Sequence, residues 1–209
     1  MPSPQKITVL GVFVADTAYR ADRPPRMGET VLGNSFALGP GGKGSNQAVA
    51  IARLGGDVTI ITRLGDDAFA DMAETTWRGA GVRSATYRDP DSYTGAAYIF
   101  IEETSGDNAI IVCPGAAADI GLDDIDQNAA LIRGSAVFMT QLEQPVSTAH
   151  YALEMAHAAH VKTILNPAPA APLDDEIFRL CDFITPNETE AGELSGIGVE
   201  TIDDARQAG

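Results

Sequence analysis

At 209 residues with 44% hydrophobic content, the chain can bury one substantial core and a small appended layer. A formal net charge of -15 and a pI near 4.4 speak against a nucleic-acid binder, whose partner's phosphates demand clustered Lys and Arg, and favour a neutral or metal-complexed small ligand. The two cysteines, Cys113 and Cys181, lack the paired spacing of a zinc site or disulfide framework and are expected to be reduced core thiols. No signal-peptide pattern opens the sequence and no apolar run reaches the roughly 18 residues of a membrane span, so the expectations are a cytoplasmic protein and no membrane partner.

In chain order, Lys6 to Val14 read as one buried strand, broken only by Gly11, that leaves Asp16 in a loop at its carboxyl end. Ala21 to Leu38 read as a small hairpin layer with an alternating piece at Thr30-Val31-Leu32 and turns at Pro24, Pro25, Gly28 and Gly33. Ser45 to Leu54 form a helix stopped by Gly55-Gly56, followed by a strand over Val58 to Thr62 and a second helix over about Asp67 to Ala80. Gly95 to Ile101 and Asn108 to Val112 read as a hairpin joined by the polar turn Glu102 to Asp107.

Ala136 to Met139 are a buried strand ending in Thr140-Gln141-Leu142-Glu143, and Ser147 to His160 an Ala-rich helix whose three histidines, His150, His157 and His160, lie on its surface. Short strands then end at Asn166-Pro167 and Thr185-Pro186-Asn187. Strands alternating with helices predict a parallel sheet covered on both faces, with ligands at the carboxyl ends of its strands. Asp16, Glu143, Asn166 and Asn187 all fall at such ends.

Gly39 to Gly44 match G-x-G-x-x-G, but the first strand does not run directly into the loop, which tells against a dinucleotide site. A Walker loop fails because Gly44, not Ser or Thr, follows Lys43. What the segment does offer is backbone that a ligand can approach closely, free amides at a helix N-terminus, and donors from Lys43 and Asn46. Asn46 both donates and accepts, which suits hydroxyl groups. Asn187, with Glu190 three residues on, is open to two readings: a helix capping box, or a ligand pair for metal and phosphate.

The stretch Gly41 to Leu54, with Asn166-Pro167-Ala168-Pro169-Ala170 and Ile184 to Ala191, resembles the ribokinase-like, phosphofructokinase-B type carbohydrate kinases over essentially the whole chain. The resemblance implies an α/β, three-layer fold with a mostly parallel central sheet, in one domain over residues 1–209 that is incomplete at its C-terminal end. It also implies a small β lid from about 17–40 and 94–112, through which two subunits pair as a homodimer.

By the same resemblance Asp16, Gly42, Lys43, Asn46 and Glu143 bind a small sugar, Asn187 and Glu190 organise ATP, and Glu190 serves Mg²⁺. Ribokinases carry Asn two residues before this aspartate to bond a sugar hydroxyl; Val14 stands there instead and cannot make that bond.

The family's base aspartate belongs to a later Gly-Ala-Gly-Asp loop that these 209 residues do not contain, as is also true of the adenine-binding part and of the monovalent-cation site. No catalytic residue is therefore assigned, and the 209 residues alone are expected to turn over little substrate. The resulting expectation is an ATP-dependent kinase acting on the primary hydroxyl of ribose or a related pentose. The alternatives are a noncatalytic sugar-binding fragment or pseudokinase, and a nucleoside kinase of the same superfamily.

Overall fold

Consecutive apolar residues on short strands call for burial on both faces, and the chain supplies helices to cover them. The computed structural model describes residues 5–209. The elements run β1 (Lys6–Leu10), β2 (Val14–Ala21), β3 (Ser35–Gly41), α1 (Lys43–Arg53), β4 (Asp57–Gly65), α2 (Ala68–Ala80), β5 (Arg83–Asp89), β6 (Thr94–Glu102) and β7 (Asn108–Gly115). After a 3-10 turn at Ala116–Asp119 come α3 (Leu122–Gln127), α4 (Ala129–Arg133), β8 (Val137–Thr140), α5 (Val146–Ala158), β9 (Lys162–Leu165), α6 (Asp175–Arg179), β10 (Phe183–Ile184), α7 (Glu188–Ser195) and α8 (Ile202–Ala208).

Six strands form one parallel sheet in the order β10-β9-β8-β1-β4-β5. Alternation along β1 and β4 sends neighbouring residues to opposite faces. Val9, Val58 and Ile60 join Ala48 of α1 and Ala70, Ala73 and Trp77 of α2 in one core. Leu10 and Ile61 join Phe138, Ile125, Ile132 and the α5 residues Ala149, Ala152, Leu153 and Ala156 in the other. Helix, sheet and helix thus make three layers. The strand order grows outward from β1 to β4 and β5, then returns to β1's other side with β8, which places a topological switch point between β1 and β8.

A second sheet, β3-β2-β6-β7, stands apart from the first. Here the expectation of a single strand through Val14 is corrected. Gly11–Phe13 leave the sheet while staying buried, and Asp16 is in mid-strand on β2, paired with Gly39 and Ala97, rather than in a loop. Thr30-Val31-Leu32 form no strand. β5 is an edge strand that the periodicity does not announce. α5 stops at Ala158, and His160 beyond it takes φ 58°.

Cys113 is exposed, contrary to expectation, because it lies on β7 at the open edge of the second sheet. Cys181 is half-buried, and burial pushes its thiol up to about 11, so it stays protonated near neutrality. Among the described residues no helix is long and apolar enough to cross a membrane.

Candidate active site

The N-terminus of α1 is pressed onto the buried link between β1 and β2. Gly42 takes φ +87°, and a Cβ there would stand 2.5 Å from the Val12 carbonyl oxygen; one at Gly44 would stand 2.6 Å from Gly11 Cα. Only glycine permits this contact. Ser45 N donates to Val12 O at 3.1 Å, while Ser45 Oγ accepts from Trp77 Nε1 at 2.9 Å. The Trp77 ring meets Phe13 edge-on, with centroids 5.9 Å apart and planes at 84°. α2 thereby fixes both α1 and the segment on which it rests.

Two carboxylates converge on this helix end. Asp16 lies against Gly41, where a Cβ would stand 2.5 Å from the Asp16 Cγ. Glu143, in the loop after β8, accepts a 2.7 Å hydrogen bond from Lys43 N through Oε2. Gly42 has no side chain with which to cap α1, and the helix has no acid in its first turn; Glu143 supplies both from the far side of the switch point.

Burial pushes the Asp16 carboxyl above its ordinary range. Burial also raises Glu143; the Lys43 amide and ammonium pull it down, and the negative charge of Asp16 adds to the rise. Such half-desolvated acceptors suit ligand hydroxyls, which donate without adding charge. Lys43 is half-buried beside them, and Asn46, one turn along, is exposed. Val14 and Asp16, two apart on β2, share a face of the second sheet.

Asn187 and Glu190 lie past β10, two strands from Glu143 across β9. Of the two readings, the capping box is fully formed. Asn187 Oδ1 accepts from Glu190 N at 2.8 Å, Glu190 Oε2 accepts from Asn187 N at 2.9 Å, and Asn187 Nδ2 donates to Glu190 Oε1 at 3.2 Å. Glu190 is buried, and its carboxylate is held in place before any ligand arrives.

A row of side-chain amides, of which only Asn166 stands out in the sequence, spans the gap. Gln141 Nε2 donates to Gln47 Oε1. Gln47 Nε2 donates to Asn166 Oδ1 at 3.3 Å, and Asn166 Nδ2 to Thr185 O at 2.9 Å. The signal was present in the positions of Gln141 and Asn166, each directly after a parallel strand.

The profile of the pfkB family carbohydrate kinases matches residues 4–209. The chain belongs to this family. It is 37% identical over 205 residues to a deoxyribokinase of Salmonella typhi, covering 97% of this chain and 66% of that protein. To a ribokinase of Bacillus subtilis (strain 168) it is 39% identical over 196 residues, covering 91% and 64%. The solved structure of Arabidopsis thaliana ribokinase complexed with ribose and ATP superposes with a TM-score of 0.85 at 28% identity, covering 98% of this chain and 67% of that one. The chain thus spans about two thirds of the length of these pfkB relatives, and its α/β fold with a mostly parallel central sheet is that of the ribokinase structures.

Proposed function

We propose that this chain forms the sugar-binding part of an ATP-dependent carbohydrate kinase of the cytoplasm that phosphorylates the primary hydroxyl of a small pentose. The observation that carries the reading is the pair Asp16 and Glu143, two carboxylates raised by burial and held at the N-terminus of α1 at the switch point of the sheet. Asp16 and Glu143 accept from sugar hydroxyls, Lys43 and Asn46 donate, and Gly42 lets the sugar approach the backbone. The second sheet acts as a lid, its Val14–Asp16 face turned to the sugar.

The pentose is one that presents one hydrogen-bonding group fewer on the Val14 side, and 2-deoxyribose has that character. The likeness to a deoxyribokinase supports this choice, and the likeness to ribokinases supports the pentose class. Asn187 and Glu190 form an oxygen-donor pair that suits Mg²⁺, and the α7 amides suit phosphate. When bound, Mg²⁺-ATP supplies the phosphoryl group, and this chain's part is to hold and orient the two substrates.

The other face of the second sheet carries Tyr19, Phe36, Leu38, Tyr98 and Ile111, all exposed; the Tyr19 ring lies 5.1 Å from Phe36 and 5.4 Å from Tyr98. An apolar surface of that kind fits a second copy of the chain, making a homodimer.

Calorimetric titration with ribose, 2-deoxyribose and a hexose panel tests the reading. Saturable binding of a pentose is expected. Nucleosides that bind while free pentoses do not would overturn it in favour of a nucleoside kinase.

A further inference from the structure

Gln141, Gln47 and Asn166 come from three different parts of the chain, and each amide nitrogen donates to the next member, the last to Thr185 O; Gln47 and Asn166 accept through their oxygens from the member before, while the buried Gln141 Oε1 has no partner among the described residues. Turning Gln47 or Asn166 over would set donor against donor on one side and acceptor against acceptor on the other, and turning Gln141 over would set its oxygen against Gln47 Oε1, so the row has a single consistent orientation. One end is anchored hard. Gln141 is wholly buried and wedged between Gly11 and Gly44, where a Cβ at Gly44 would stand 2.8 Å from Gln141 Oε1. The other end is the carbonyl of Thr185, two residues before the Asn187 cap.

Gln47 occupies the position immediately after Asn46 on α1, the helix whose first turn carries Gly42 and Lys43 and is capped by Glu143. Any shift of α1 against the sheet therefore changes the Gln47–Asn166 separation, and through it the position of the Thr185 carbonyl. We infer that Gln47 and Asn166 are positioning residues that couple occupancy of the sugar site to the order of the Asn187–Glu190 segment. The inference rests on the sugar-binding reading above and deepens it. The relay ties together two places that share no direct hydrogen bond among the described residues, and its working element is the seating of one helix end on one sheet edge.

Amide hydrogen exchange over residues 185–191, measured with and without saturating 2-deoxyribose or ribose, tests the relay alongside calorimetric sugar affinity. In the wild-type chain, sugar is expected to slow exchange in this segment about fivefold or more, within the usual range of coupling between sites. Gln47→Glu keeps the size of the side chain and the acceptor for Gln141 but removes the donor to Asn166. It is expected to leave sugar affinity within about threefold, a small part of that same coupling range, while abolishing the sugar-dependent slowing. Asn166→Ala, made from the other side, should do the same.

Slowing that survives in both variants overturns the relay. Sugar that binds the wild type without altering exchange at 185–191 overturns it too, and leaves the sugar-binding reading standing. No pentose binding to the wild type overturns both.

Discussion

Glu143 Oε2 accepts from the Lys43 amide at 2.7 Å, so a carboxylate one hundred residues away caps the helix that carries the glycine-rich motif. The cap and the proposed sugar ligand are the same group. Burial holds the Glu143 carboxyl above its ordinary range, so the folded state takes up its proton more readily than the unfolded chain. Its charged form therefore costs stability at neutral pH, and this cost disappears as pH falls through the raised value. Glu143→Gln keeps an acceptor for Lys43 N and is expected to be at least as stable as wild type at pH 7, with the difference shrinking toward pH 4. Sugar affinity should fall at least about tenfold, since a charged acceptor is replaced by a neutral one. Thermal melts across pH and calorimetry check both halves; a variant clearly less stable at pH 7 would contradict the electrostatic account.

Val14→Asn should shift preference toward ribose over 2-deoxyribose. Val14 is 5% exposed and packs in the core at the start of β2, two residues before Asp16, so the new amide costs about 1–3 kcal/mol of stability unless a ligand hydroxyl satisfies it. Ribose should then raise the melting temperature of the variant more than 2-deoxyribose does. An unchanged ratio of the two dissociation constants rules the idea out.

Trp77→Phe should cost about 1–2 kcal/mol by leaving Ser45 Oγ without its donor. Trp77→Ala adds a cavity beside Phe13 and should cost about 3–5 kcal/mol. Urea unfolding measures both. A loss below about 1 kcal/mol for the alanine variant would mean that α2 does not fix α1 in the way described.

Phe36→Glu and Tyr98→Glu place charge on the apolar face of the second sheet. If that face joins two copies, each variant should sediment as a monomer where the wild type sediments as a dimer, with circular dichroism unchanged. A wild-type chain that sediments as a monomer at micromolar concentration rejects the pairing.

What was legible in the sequence was what local chemistry decides. The helices around Ala48 and Ala152, the strands at Val58 and Val137, and the Asn187 cap follow from periodicity and capping residues, and the Asn187–Glu190 capping box is formed. The break at Gly11–Phe13 was not legible, because a buried link and a buried strand are equally apolar. β5 was missed because its polar residues serve an edge: Arg83 pairs with Asp57, and Arg88 with Asp66, Asp71 and Glu74. The short helices α3, α4 and α6 owe their form to packing rather than propensity. Within the candidate site, the residue types at Asp16, Lys43 and Glu143 could be read from the motifs. The capping of α1 by Glu143 and the amide row through Gln47 join distant parts of the chain, and no local pattern encodes such contacts.

The placement of β1 has a consequence for biosynthesis. Its partner on one side, β4, begins at Asp57, while β8, on the other side, begins only at Val137. At about 5–20 residues per second, the roughly 75 residues between Ile61 and Val137 take on the order of 4–15 s to emerge. During that interval the nascent chain carries an apolar strand with one open edge. An edge left open for that time offers a pairing surface to other nascent chains, so slower translation through this stretch is expected to raise the yield lost to association.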